Sequence, residues 1–182
     1  MTGDLFVVSG PSGAGKGTLL ARVLPKLENV WLSVSATTRV PRKGEQEGVH
    51  YFFVSDAQFD SLIAVDGLLE WATVHGERYG TIRSQVEDRL AKGMDVILEI
   101  DAQGAFQVLS VIPEAILIFI VPPTLEVLRQ RLEARGSEDE ASLQRRLQNG
   151  IEEMKYKDRY QYVIVNDDLE VAADELLGLL EK

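Results

Sequence analysis

The segment Leu5–Leu20, LFVVSGPSGAGKGTLL, constrains the fold more than any other part of the chain. An apolar, largely β-branched run (Leu5, Phe6, Val7, Val8) leads into Gly10-Pro11-Ser12-Gly13-Ala14-Gly15-Lys16, and Leu19, Leu20, Val23 and Leu24 follow in a helical pattern. Strand, glycine-rich loop and helix start, in that order, are what a P-loop requires. Glycines let successive backbone N–H groups turn inward around a phosphate, and the helix N-terminus adds about half a positive charge. Lys16 adds a mobile point charge for the β- and γ-phosphates. An ordinary glycine-rich turn does not need Gly10, Gly15 and Lys16 at this spacing. The expectation is a nucleoside triphosphate site built from Gly10, Pro11, Ser12, Gly13, Ala14, Gly15, Lys16, Gly17 and Thr18.

One position departs from the usual loop. The residue after the lysine, normally a Ser or Thr ligand to Mg²⁺, is Gly17, and the hydroxyl arrives one residue later as Thr18. The form GxxGxGKGT resembles the loops of nucleoside monophosphate kinases such as adenylate kinases. Thr18 projects about 100° further round the helix than position 17 would. Mg²⁺ accompanying ATP is the expected cofactor, with its protein ligands left open.

Composition narrows the partners. A chain of 182 residues is one domain, or one core with small mobile lobes, and 45% hydrophobic content is ample for a packed interior. A net charge of −10 argues against a nucleic-acid polymer, because a binding face would have to neutralise several phosphates. A mononucleotide needs only a local cluster of arginines. The chain has no cysteine, which fits a reducing, cytoplasmic setting. MTGDLFVV lacks a basic leader, and no apolar run is long enough to span a bilayer, so neither signal peptide nor membrane association is expected. Nothing in the sequence chooses between monomer and homo-oligomer.

Strand-like and helix-like segments alternate along most of the length. Leu5–Ser9, Val30–Val34, Asp95–Ile100, Ala115–Val121 and Tyr162–Val165 read as strands. Helices are expected at Gly15–Leu24, Ile82–Lys92, Ala102–Val111, Thr124–Arg135, Ser142–Tyr156 and Leu169–Leu180. Near-continuous apolar strands separated by helices indicate an α/β fold: a five-stranded parallel sheet flanked by helices, on a P-loop NTPase-type core. Residues 1–35 and 84–182 form that core in this reading. The stretch 36–83 breaks the alternation and reads as an inserted small mixed lobe over the nucleotide site. Tyr51–Val54 and Leu69–His75 are its strands, and a Ser55–Gln58 capping box starts a short helix between them. A charged break, Gly136–Glu140, carries a Ser137–Glu140 capping-box pair and joins two arginine-bearing helices, so about 131–146 reads as a lid.

In the insertion, Ser33–Arg42 packs hydroxyls with Arg39 and Arg42 around Pro41. Two guanidiniums held by a proline can fork onto one phosphate, although composition alone fits a solvated basic loop equally well. Further on come Gly48-Val49-His50-Tyr51-Phe52-Phe53, Glu70-Trp71, Tyr79-Gly80-Thr81, Glu99-Ile100-Asp101-Ala102-Gln103-Gly104 and Val163-Ile164-Val165-Asn166-Asp167-Asp168-Leu169. With these motifs the chain resembles a guanylate kinase from Leu5 through Leu169. The resemblance implies a GMP site under the inserted lobe, with Arg39, Arg42, Tyr51 and Tyr79 around the phosphate and Ser35, Glu70, Thr81 and Asp101 around the guanine. Base chemistry agrees with it. Guanine presents N1–H and a 2-amino group, both donors that one carboxylate such as Glu70 can accept, whereas adenine N1 is an acceptor. Arg78 departs from the tyrosine often found there and is expected to add charge near the phosphate pocket.

Arg131 and Arg135 share one edge of a helix whose core stripe is Leu125, Leu128 and Leu132. Arg146 flanks the stripe Leu143, Leu147, Ile151 and Met154, while Arg145 points away; Arg129 and Arg145 read as solvated. Arg131, Arg135 and Arg146 match the family's arginines that close on the triphosphate. Asn166 and Asp167 match the region beside the adenine. Lys16, Arg39, Arg131, Arg135 and Arg146 are thus the catalytic candidates. His50 and His75 have no metal-ligand spacing, and Asp168 reads as a helix start. The expected activity is ATP + GMP = ADP + GDP, a step of purine nucleotide metabolism with ATP and GMP as small-molecule partners. The alternatives are an inactive interaction module of the same family and a kinase for another nucleoside monophosphate.

Overall fold

The computed structural model describes residues 3–74, 76–134 and 140–181. The apolar opening run forms β1 (Leu5–Ser9), every residue of which is buried, and the glycine loop delivers the chain into α1 (Lys16–Val23). After β2 (Val30–Leu32) the inserted stretch forms β3 (Ala36–Thr37), β4 (Phe52–Phe53), α2 (Asp56–Ala64), β5 (Leu68–Val74) and β6 (Glu77–Ile82). Alternation then resumes with α3 (Arg83–Ala91), β7 (Asp95–Glu99), α4 (Ala102–Val111) and β8 (Ile116–Val121). The chain closes with α5 (Leu125–Ala134), α6 (Glu140–Met154), β9 (Tyr162–Val165) and α7 (Leu169–Leu180).

The five apolar runs make one parallel sheet in the order β2-β7-β1-β8-β9, flanked by helices. The pairings are consistent with burial: β8, with Leu117–Val121 all buried, runs parallel to β1 on one side and to β9 on the other. The first and last turns moved by one or two residues at several ends. Strand β2 stops at Leu32 rather than Val34, and α6 runs two residues earlier at both ends than the periodicity indicated.

The insertion holds a second sheet, mixed in direction, in the order β4-β3-β6-β5. Two of its four strands were not expected. Strand β3 is only two residues long, and β6 reads ERYGTI, polar and interrupted by glycine, so neither carries a legible period of two. The capping box at α2 forms as expected: Gln58 N–H donates to Ser55 Oγ (3.2 Å) and Ser55 N–H donates to Gln58 Oε1 (2.8 Å).

Contacts divide the chain into two compact units. One gathers the described residues of Met1–Leu5, Trp31–Leu98 and Gln103–Ala115, and its mixed sheet closes over Ala36, Phe59 and Leu68 with Phe52, Leu62 and Ile82 around them. The other gathers Phe6–Val30, Glu99–Ala102 and the described part of Ile116–Lys182. There α5 and α6 pack through Leu128, Leu132 and Leu143, with Leu147 beside them. Leu125, expected in that stripe, is 45% exposed because it is the first residue of α5. The proposed lid break at 136–139, Arg135 and His75 lie outside the described residues. Among the described residues no helix is long and apolar enough to cross a membrane.

Candidate functional site

Two glycines of the loop are fixed by geometry that no other residue meets. Gly10 sits at φ 146°, and a Cβ there would lie 2.1 Å from the carbonyl oxygen of Ile120 on β8. Gly15 caps α1 at φ 95°, with the Asn166 amide 2.3 Å from where its Cβ would stand. A side chain at either place would push the loop off its neighbouring strand or off Asn166. Lys16, at the first position of α1, folds back so that Nζ donates to the carbonyls of Gly10 and Pro11.

Three expected residues converge on this loop. Asn166, 4% exposed at the end of β9, donates through Nδ2 to Ala14 O at 2.8 Å. Arg131 on α5 donates to the same carbonyl at 3.4 Å and to Asn166 O at 2.9 Å. Arg146 on α6 donates to Ser12 Oγ at 2.9 Å. Gly13, Gly15, Thr18, Arg131, Asn166 and Asp167 line a cleft of about 330 Å³ beside the loop, within the range of small-ligand sites. Asp168 accepts from the N–H groups of Glu170 and Val171, so it caps α7 as expected.

Glu153 belongs to this neighbourhood and was missed. Its carboxyl is pushed up by burial, drawn down by Lys16 and pushed up by Asp101. The signal was present in the sequence: Arg146, Gly150 and Glu153 stand at i, i+4 and i+7, on one face of α6. Gly150 on that face is buried, and a Cβ there would meet Leu128 Cδ2 at 3.0 Å and Pro11 Cβ at 3.4 Å. The face therefore lies against the loop.

At Gly17 a Cβ would lie 3.7 Å from Glu99 Oε1, so this side of the helix start presents one carboxylate. Among the described residues no group of three or more His, Cys, Asp or Glu side chains is arranged to hold a metal.

The other unit assembles most of the expected monophosphate residues. Arg39 lies over the Tyr51 ring at 5.3 Å and donates through Nε to Tyr79 Oη at 3.2 Å. Its Nη1 and Nη2 donate to the two oxygens of Glu45 at 2.9 and 2.8 Å, and Arg42 N–H donates to Glu45 as well. The Arg39 and Glu45 side chains are only 10% and 18% exposed. Hydrogen bonding from Arg39, then from the Arg42 backbone, holds the Glu45 carboxyl at about 2. The same pairing, against the opposing effect of burial, raises the Arg39 guanidinium further above its already high range. Glu45 was missed because no sequence pattern distinguishes it from Glu47 two residues on.

Glu70 and Thr81 meet across the β5–β6 pair, and Thr81 Oγ1 donates to Glu70 Oε1 at 2.6 Å with both residues buried. Ser35 stands immediately before β3 and Arg42 on an exposed loop. Asp101 follows β7 at the start of α4, in the unit that carries the P-loop. Arg78 corrects an expectation. Side chains alternate along β6, so Arg78 faces away from Tyr79 and bonds Asp56 and Asp60 of α2, each at 2.6 Å. It lies over Phe59 at 4.8 Å and adds no free charge beside Tyr79. His50 accepts from Gln46 N–H in the same loop, and Arg129 pairs with Glu133 on its own helix.

A parallel sheet whose buried first strand feeds a glycine loop and a lysine-bearing helix start defines a P-loop nucleotide-binding protein. The chain belongs, more narrowly, to the guanylate kinase family, whose model matches residues 2–182. A guanylate kinase from Synechococcus sp. (strain CC9311) is 52% identical over 170 residues, covering 93% of this chain and 90% of the relative. One from Desulfitobacterium hafniense (strain Y51) is 49% identical over 178 residues, covering 98% and 89%. Among solved structures, guanylate kinase from Anaplasma phagocytophilum superposes with a TM-score of 0.79 at 37% identity, covering 99% of this chain and 85% of that one. A shikimate kinase from Bacteroides thetaiotaomicron, at 15% identity and a TM-score of 0.52, shares the fold alone. The family is one of kinases, which generally use a divalent metal with ATP.

Proposed function

We propose that the chain transfers the γ-phosphoryl group of ATP to GMP, giving ADP and GDP, in the cytoplasm. The observation that carries this reading is the buried Glu70 carboxylate. Thr81 Oγ1 donates to Oε1, and a carboxylate accepts in the pattern that the two donors of guanine require. An adenine N1 in their place would set acceptor against acceptor.

An oxygen of the GMP phosphate attacks Pγ, the bond from Pγ to the β–γ bridging oxygen breaks, and ADP leaves with the electron pair. That phosphate oxygen is largely deprotonated at neutral pH, so the chain needs no general base. Its task is to align two polyanions and to stabilise the charge in transit. Lys16 would leave the Gly10 and Pro11 carbonyls for the triphosphate, while Arg131, Arg135 and Arg146 close around it. Arg39, Arg42, Tyr51 and Tyr79 would hold the acceptor phosphate, Ser35, Glu70, Thr81 and Asp101 the guanine, and Asn166 and Asp167 the adenine side. In this reading 36–83 is the GMP lobe, about 131–146 the lid, and 1–35 with 84–182 the core. Mg²⁺ suits the donors present, because it takes one or two carboxylates and completes its shell with phosphates and water; Glu99 beside Gly17 would be that carboxylate. When bound it neutralises charge on the β- and γ-oxygens.

An ADP-release assay with GMP, AMP, UMP and CMP as acceptors tests the reading. GMP should exceed the others in kcat/KM by about two orders of magnitude or more. Equal turnover of AMP would overturn it.

A further inference from the structure

Strand β5 is an edge of the mixed sheet, bonded to β6 on one side, and its register slips between Leu68 and Glu70. An edge strand with an irregularity beside its functional residue has little to hold that residue in place. Side chains from two neighbouring helices bond its backbone among the described residues: Arg83 Nη2 donates to Leu68 O at 3.3 Å, and Gln107 meets Trp71. Gln107 of α4 accepts from Trp71 N–H through Oε1 at 3.1 Å and donates through Nε2 to Trp71 O at 3.0 Å. A primary amide carries one donor and one acceptor in a plane, as a neighbouring strand's backbone does, so Gln107 stands in for a strand partner at a single residue.

That residue directly follows Glu70. Fixing Trp71 N–H fixes the peptide plane that begins at the Glu70 carbonyl, and so the direction in which the Glu70 side chain leaves the strand. On the opposite side Thr81 Oγ1 holds the carboxylate tip at 2.6 Å. The Glu70 side chain is thus fixed at its root by Gln107 and at its end by Thr81.

We propose that Gln107 is a positioning residue for base selection, which sets the selectivity for guanine by clamping the backbone at Trp71. This rests on the reading of Glu70 as the group that reads the base. Gln107→Met keeps the length of the side chain and removes both hydrogen bonds. It should raise KM for GMP and lower the GMP:AMP ratio of kcat/KM by about tenfold, as expected for two ordinary neutral hydrogen bonds, with KM for ATP unchanged. Gln107→Glu keeps an acceptor for Trp71 N–H but sets an oxygen against Trp71 O, and should lower the ratio further. A merely structural role would lower the melting temperature and shift both KM values together while leaving the ratio intact, which would overturn the proposal.

Glu70→Gln, measured alongside, separates the two claims. If it loses selectivity and Gln107→Met does not, the clamp is refuted and the Glu70 reading stands. If Glu70→Gln keeps selectivity, that reading falls and the proposal with it. Amide exchange in the unmodified protein gives a readout that no variant has to fold for. The Trp71 amide should be protected, and exchange as fast as a solvent-facing edge amide would refute the clamp.

Discussion

Replacing Asn166 with alanine separates two roles for this residue. The resemblance to guanylate kinases puts Asn166 beside the adenine, yet its amide is committed to Ala14 O at 2.8 Å, with the residue 4% exposed. In the alanine variant the buried Ala14 carbonyl keeps only the 3.4 Å contact from Arg131. An unsatisfied buried acceptor costs about 1–3 kcal/mol, and partial rescue by Arg131 places the loss near the lower half, about 1–2 kcal/mol. For a chain of this length that lowers the melting temperature by about 3–6 °C. If the loss falls on the bound form of the loop, triphosphate affinity drops about tenfold. Asn166→Asp should be worse than alanine, because a carboxylate oxygen would face the carbonyl. The assay is titration with ATP and, separately, with inorganic tripolyphosphate. Bracing of the loop weakens both by the same factor. Weakening of ATP alone, with the melting temperature unchanged, would refute the bracing argument and leave Asn166 as an adenine contact.

Lys16→Met should leave the fold intact and lower kcat by two to three orders of magnitude, since one donor to a developing oxyanion is worth about 3–4 kcal/mol; more than a tenth of the wild-type rate would remove Lys16 from the catalytic set. The Glu45 carboxyl is held at about 2, below its ordinary 4.5. Its contribution to stability is therefore fully present above about pH 4.5 and is lost as pH falls through about 2. Thermal melts across that range should show wild type and Glu45→Gln converging toward acid, and a constant gap would contradict the assignment. Trp71 is 39% exposed, edge-on to Phe59, while Trp31 lies under the Arg89 guanidinium at 3.6 Å. A GMP-dependent fluorescence change should survive Trp31→Phe and largely vanish in Trp71→Phe; the reverse pattern, or an equal response to AMP, would contradict closure of the 36–83 lobe on guanine.

The sheet is legible because its strands are near-continuous apolar runs, and the runs Leu5–Ser9 and Tyr162–Val165 coincide with β1 and β9 at both ends. Strands β3 and β6 are not, because two residues carry no period and ERYGTI offers no alternating apolar face. Among the site residues, the resemblance to guanylate kinases singles out the arginines, but what each one touches is set by packing. Arg78 faces α2 because β6 alternates, a register that the sequence does not state. The Gln107 clamp left no trace either, since a side chain that completes a strand edge has no fixed spacing from that strand. Glu153 could have been found, because helical spacing puts it on the face of Arg146 and Gly150.

If the γ-phosphoryl group of ATP moves onto the phosphate of GMP, a label carried by it moves with it. Incubation with ATP labelled at the γ-phosphorus and with GMP, followed by separation of the products, should place the label in the β-position of GDP in step with ADP release. Label recovered as inorganic phosphate, or ADP released at the same rate with GMP left out, would mean that the phosphoryl group goes to water and not to GMP.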